Sequence, residues 1–272
     1  MPDRFSRFQA RYGGAVPPAG AWNETLDLLL AHRSVRHYLP EPLPDGALTA
    51  AIAAAQSAST SSNLQVWSVI AVEDGARKAR LAGLAGNQAH VARAPLLLVW
   101  LADLKRLREV SVQEGEKGEG LDYLEAFLLA AVDAALAAQN AALALESIEL
   151  GCCYIGGLRN RAEDVAAELG LPQDVFALFG MTVGRPDPAR PAPVKPRLPQ
   201  PAVLFREQYQ WGEAQRAAIA LYNERLRAFQ RSQNLTEQDW TAQAAKRVRD
   251  EKALTGRHVL RDFLDRVGFK LR

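Results

Sequence analysis

The chain has 272 residues, above the usual single-domain size yet within reach of one large α+β domain, and its 48% hydrophobic content suffices for a sizeable core. A net charge of +2 is too small to argue for nucleic acid, so charge matters only locally. The only cysteines, adjacent Cys152 and Cys153, form neither a disulfide framework nor a Cys-x-x-Cys pair; the start lacks a signal's apolar stretch, so an intracellular, reducing compartment is expected.

Residues 24–32 read as a short helix leading into His32-Arg33-Ser34-Val35-Arg36. Pro40, Pro42 and Pro44 force an extended passage, after which Asp45 is expected to cap a helix with Leu48, Ile52 and Ala55 on one face. A run of small polar residues, 57–63, follows. Gln65 to Glu73 reads as a strand, residues 75–86 as a helix, and 96–102 as a strand buried on both faces. Polar 110–120 reads as a surface loop. A long Ala-rich helix is expected from about 121 to 150, with Gly151 as its stop. Its apolar stretch 124–145 could span a bilayer, but Glu125, Asp133, Gln139 and Asn140 favour a core helix. Strand 152–155, helix 160–170 and strand 176–184 come next. A stiff segment at 185–201 carries Pro186, Pro188, Pro191, Pro193, Pro196 and Pro199, and residues from Trp211 onward are helical and charge-rich. About four strands among seven or more helices make an α+β arrangement.

Three stretches carry candidate chemistry. Arg33 and Arg36 flank Ser34, and guanidinium forks beside a hydroxyl suit a phosphate. Lys195 and Arg197 form a second cationic pair in the proline-stiffened segment. Gly156-Gly157 at a strand end removes two side chains, so that backbone can approach a flat ring. Taken singly, each has a bland alternative: a solvated basic turn, a basic linker, a plain turn. Together they point to a planar, phosphate-bearing cofactor, read as flavin mononucleotide (FMN). His32, His37, His90 and His258 lack metal-ligand spacing, and there is no nucleophile elbow, Walker loop or Rossmann glycine motif, so the cofactor is expected to carry the chemistry.

Seven segments in order resemble the nitroreductase family, most closely its oxygen-insensitive NADPH nitroreductase and flavin reductase branch. They are His32-Arg33-Ser34-Val35-Arg36-His37-Tyr38, Ser59-Thr60-Ser61-Ser62-Asn63-Leu64-Gln65, Gly86-Asn87-Gln88-Ala89-His90-Val91 and Ala138-Gln139-Asn140-Ala141. Tyr154-Ile155-Gly156-Gly157-Leu158-Arg159-Asn160, Leu178-Phe179-Gly180-Met181 and Lys195-Pro196-Arg197-Leu198-Pro199 complete the set. The resemblance implies a nitroreductase-like α+β fold: a central mixed or antiparallel sheet of four to five strands surrounded by helices. It also implies a core at 1–204, and a helical extension at 205–272 packing on the core or the partner subunit.

The resemblance further implies a homodimer with two FMN molecules at its interface; a cytoplasmic location, no membrane or nucleic-acid partner and no metal are the expectations from the residues themselves. The implied cofactor contacts are His32, Arg33, Ser34, Arg36, Thr60, Ser61, Gln65, Gln88, Tyr154, Ile155, Gly156, Gly157, Lys195 and Arg197. The implied activity is two-electron, ping-pong reduction of nitroaromatics, quinones or related small acceptors, the hydride passing through flavin N5 with no catalytic side chain. Arg231 and Trp240 fit the branch's nicotinamide-phosphate loop, but Asn234-Leu235-Thr236-Glu237 places a carboxylate where an arginine is expected, so NADPH and NADH both stay open. The rivals are a specialised flavin reductase feeding a partner oxygenase and, more distantly, a non-enzymatic basic helical module at 205–272.

Overall fold

The computed structural model describes residues 4–13, 20 and 22–272; the first three residues, part of the start read for a signal, lie outside them. In chain order the helices are α1 (Arg4–Tyr12), α2 (Glu24–Ala31), α3 (Ala47–Gln56), α4 (Gly75–Leu84), α5 (Ala89–Arg93) and α6 (Lys105–Gln113). They continue with α7 (Leu124–Ser147), α8 (Ala162–Leu169), α9 (Glu213–Ser232), α10 (Trp240–Arg247) and α11 (Leu260–Arg266). The strands are β1 (Trp67–Val72), β2 (Leu96–Asp103), β3 (Gly151–Ile155) and β4 (Val175–Gly184). The chain divides into one unit of Met1–Arg33 with Pro193–Leu254 and another of Ser34–Ala192 with Thr255–Arg272.

The second unit is built on a sheet ordered β1-β2-β4-β3, antiparallel at every pairing. The expected α+β class holds, with four strands. Alternation along β2 explains its continuous apolar sequence. Leu96, Leu98 and Trp100 enter one core with Ala137, Ala138, Ala141 and Ala142 of α7 and Ala47, Ala51 and Ala55 of α3. Leu97, Val99 and Leu101 enter the opposite core with Leu81, Leu158 and Val165. Each fully buried leucine contributes about 1.5–3 kcal/mol, so both faces are needed. A third cluster joins Phe176 and Leu178 of β4 to Phe263, Leu264 and Phe269 of the C-terminal segment.

The alanines of α7 let that helix lie close to β2 and α3, and its opposite side remains exposed at Leu124, Leu128, Val132 and Leu136. It is one helix long and apolar enough to cross a membrane by length and composition, and 44% of its most apolar window is buried.

Three local expectations are corrected. Asp45 does not cap α3: the N-cap is Gly46, left-handed at φ 77°, with no side-chain bond. The stretch 110–120 is not all loop, because α6 runs to Gln113. Gly151 does not stop α7. Glu149 takes the left-handed position at φ 64° and Leu150 N–H donates to the Leu145 carbonyl at 3.0 Å, closing the helix in a Schellman turn. Gly151 instead opens β3, where a Cβ would come within 2.5 Å of the Val35 side chain.

In the first unit, Asn23 caps α2 by accepting from Leu26 N–H at 3.0 Å. Ala218, Tyr222 and Leu226 of α9 are buried at helical spacing, and Tyr222 donates to the Pro196 carbonyl at 3.2 Å.

Candidate functional site

The basic stretch straddles the two units: His32 and Arg33 close the first segment of one, and Ser34 opens the other. Ser34 pairs with Cys152 in a parallel bridge, and Val35 N–H donates to the Cys152 carbonyl at 2.9 Å. Val35 is buried in the space that Gly151 leaves, so the extended backbone turns Ser34 and Arg36 outward. Tyr38 locks the register: its hydroxyl donates to the Val35 carbonyl at 2.5 Å and lies 2.8 Å from Thr182 Oγ1. Burial pushes its phenol far above the ordinary range.

Arg36 is exposed and makes no hydrogen bond or ion pair among the described residues. Arg33, Lys195 and Arg197 likewise have no carboxylate partner there; Arg33 donates to the Ala31 carbonyl at 3.3 Å, and Arg197 to the Lys195 carbonyl at 3.3 Å. Elsewhere many cations do pair, such as Arg80 with Glu168 at 2.9 Å and Arg108 with Asp174 at 3.1 Å. Cations left without carboxylates fit an anionic guest.

β3 delivers the next group. Tyr154 is half-buried, its ring 5.4 Å from Phe179, while Ile155 is fully buried and can offer a guest only backbone. The two glycines differ. A Cβ on Gly157 would lie 2.4 Å from the Ala85 carbonyl oxygen and 2.5 Å from Gln88 Nε2, so protein already fills that space. A Cβ on Gly156 would meet only the Arg159 guanidinium, at 3.4 Å. Of the two, only Gly156 keeps its bare side clear of backbone, and Gly157 serves packing. Gln88, which donates to the Ala85 carbonyl at 2.8 Å, sits against this turn. Asn160, at the end of the same motif, holds the C-terminal segment, accepting from Arg257 Nε at 2.9 Å.

Thr60, Ser61 and Gln65 form a separate group beside α7 and β1. Ser61 N–H donates to Asp133 Oδ1 at 3.1 Å, Gln65 N–H to Thr60 Oγ1 at 3.0 Å, and Arg106 to the Gln65 carbonyl at 2.7 Å. Ser62, Asn63 and Gln65 all have positive φ, near 50°, a strained arrangement that these bonds hold in place. A 380 Å³ cavity on one side is lined by Ser59 to Ser61, Asp133 and the exposed apolar side of α7. A 440 Å³ cavity on the other is lined by Gln65, Trp67, Ser68 and Arg106. No hydrogen bond among the described residues joins this loop to the Tyr154–Gly157 turn.

Two further residues stand out. Asp133 is 2% exposed and its Oδ2 has no hydrogen-bond partner among the described residues; its signal in the sequence is a carboxylate in the middle of an alanine-rich helix. Arg11, 4% exposed, donates to the carbonyls of Leu30, His32 and Lys195, and nothing local announces it.

Both cysteines are held as thiols: burial pushes Cys152 far up, and raises Cys153 against the opposing pull of Arg36 and Ser34. Neither is poised as a nucleophile. Arg231 pairs with Glu237 at 3.1 Å and Arg227 with Asp239, so the loop carboxylates neutralise their own arginines.

Residues 29–185 match the model of the nitroreductase family, and residues 195–272 match its C-terminal domain. The chain belongs to the nitroreductase family. It is 36% identical over 251 residues to a Bacillus subtilis protein named FMN reductase (NADPH), covering 91% of this chain and 98% of that one. It is 40% identical over 219 residues to the oxygen-insensitive NADPH nitroreductase of Salmonella typhimurium, covering 80% and 88%. Among solved structures, the NfrA1 nitroreductase of B. subtilis superposes with a TM-score of 0.85 at 34% identity, covering 92% of this chain and all of that one. The NADPH:FMN oxidoreductase of Vibrio harveyi, complexed with NAD+, gives 0.82 at 36% identity, covering 92% and 100%. The nitroreductase fold is thereby established.

Proposed function

We propose how the residues of this nitroreductase-family member divide the work of an FMN-dependent NAD(P)H oxidoreductase acting on nitroaromatics, quinones or related small acceptors. Bound there, FMN would supply two-electron hydride chemistry between the nicotinamide and the acceptor, in separate half-reactions. His32, Arg33, Ser34, Arg36, Lys195 and Arg197 hold its phosphate and the polar ring edge. Backbone at Tyr154 to Gly156 would hold the ring, and Gln88 and Gly157 fix that turn. The residues present fit this guest because Arg33, Arg36, Lys195 and Arg197 have no carboxylate of their own among the described residues, the observation that carries the reading. Their positive potential would favour negative charge on the bound group. With thiols and phenols kept protonated by burial, no side chain serves as an obligatory nucleophile.

The working unit is a homodimer. The exposed Leu124, Leu128, Val132 and Leu136 recur every fourth residue along α7 and form one apolar stripe. Across it, a second copy supplies its own Thr60, Ser61 and Gln65, a loop that no hydrogen bond among the described residues joins to the Tyr154 turn of its own chain. Segment 205–272 is an extension that packs on the core or on the partner, and the dimer works in the cytoplasm.

Arg36→Ala tests the phosphate contact. Losing charge-assisted bonds of about 1.5–3 kcal/mol weakens FMN binding about 10- to 100-fold, read by flavin fluorescence during titration of apoprotein. Full flavin retention in this variant would contradict the assignment.

A further inference from the structure

We propose that Arg11 is a positioning residue that sets the distance between the two cationic segments of the flavin site. The inference rests on the reading that these segments hold the FMN phosphate. Helix α1 lies outside both stretches that match the family models. Its sequence places Phe8 and Arg11 three residues apart on one face, and both are buried. A nine-residue helix has little stability alone, so its tertiary bonds hold it.

Those bonds converge on the segments in question. Arg11 Nε donates to the Leu30 carbonyl at 3.0 Å, Nη1 to the Lys195 carbonyl at 2.9 Å, and Nη2 to the His32 carbonyl. The Arg11 carbonyl in turn accepts from Arg197 N–H at 2.9 Å. One rigid, planar fork thus bridges the end of α2, where His32 and Arg33 begin, to the segment of Lys195 and Arg197, Lys195 lying 184 positions after Arg11 itself. Tyr222, donating to the Pro196 carbonyl, holds the second segment from its other neighbour. Cations that grip one phosphate must keep a fixed spacing, and pre-setting that spacing lowers the cost of ordering them at binding.

The test compares FMN with riboflavin, which has the same ring and no phosphate, in titrations of full-length apoprotein. The readout is the ratio of the two affinities, because any loss of folded protein scales both alike. Wild-type protein prefers FMN. Arg11→Met lowers that preference about tenfold with little change toward riboflavin, and Arg11→Lys, which keeps the charge but not the fork, also lowers it. An unchanged ratio in both variants would overturn the positioning role. A wild-type protein that bound riboflavin as tightly as FMN would instead overturn the phosphate reading beneath it, an outcome visible before any variant is made.

Discussion

Replacing Gly157 with alanine tests the packing of the Tyr154–Gly157 turn. The added Cβ would sit 2.4 Å from the Ala85 carbonyl oxygen and 2.5 Å from Gln88 Nε2. Neither neighbour yields easily: Ala85 is buried, its N–H closes α4 onto Leu81 at 2.9 Å, and its carbonyl accepts from Gln88. Overpacking typically costs about 1–3 kcal/mol, and an overlap with backbone belongs at the upper end. For a chain of this size, about 3 kcal/mol lowers the melting temperature by about 6–12 °C. Gly156→Ala is the internal control, since its Cβ meets only the flexible Arg159 guanidinium at 3.4 Å and costs within about 0.5 kcal/mol. Far-UV circular dichroism melts of both apoproteins measure this, and FMN titrations of the same samples separate fold from binding. Gly156→Ala keeps the wild-type melt and weakens FMN. Equal melts for Gly157→Ala and wild type, or Gly156→Ala as the less stable variant, would refute the reasoning.

Two further outcomes follow from other parts of the molecule. Leu128→Glu puts a carboxylate into the apolar stripe of α7; stranding an unpaired charge at an interface costs several kcal/mol, so sedimentation should show a dimer for wild type and a monomer for the variant. A variant that stays dimeric removes α7 from the interface. His90 titrates below its ordinary value because of burial first, then the charges of Arg36 and His37. The unfolded chain therefore binds a proton that the native state resists. His90 stabilises fully above the ordinary imidazole value, and stability falls as pH drops through it toward the lower native value. Urea unfolding between about pH 8 and pH 5 should lose less stability in His90→Asn than in wild type, and identical slopes would contradict this.

The sheet was legible because β2 and β4 must be apolar on both faces, and such runs have few other uses in a soluble core. The long helix was legible for the same reason, through its alanines. Its end was not: Glu149 adopts the left-handed turn that glycine usually supplies, and Gly151 is demanded by Val35, far away in the chain. The stretch 110–120 misled because a solvent-facing helix tolerates polar residues as well as a loop does, and α6 extends to Gln113. Within the candidate site, residue types pointed to the cations, but not to which of them lacked partners. Arg11 escaped because its role depends on a contact with Lys195 that no local pattern encodes, whereas Asp133 was visible as a carboxylate in an alanine-rich helix and only its contact with Ser61 was not.

The most direct measurement is an anaerobic absorption spectrum of the purified protein before and after NADPH, repeated with NADH on a fresh sample. The account predicts flavin bands that bleach with at least one donor and return when a nitroaromatic or quinone is added. Comparing the two donors tells whether Glu237, paired with Arg231, leaves room for a 2′-phosphate. A protein that neither carries nor takes up FMN, or whose bound flavin neither donor reduces, would contradict the oxidoreductase assignment.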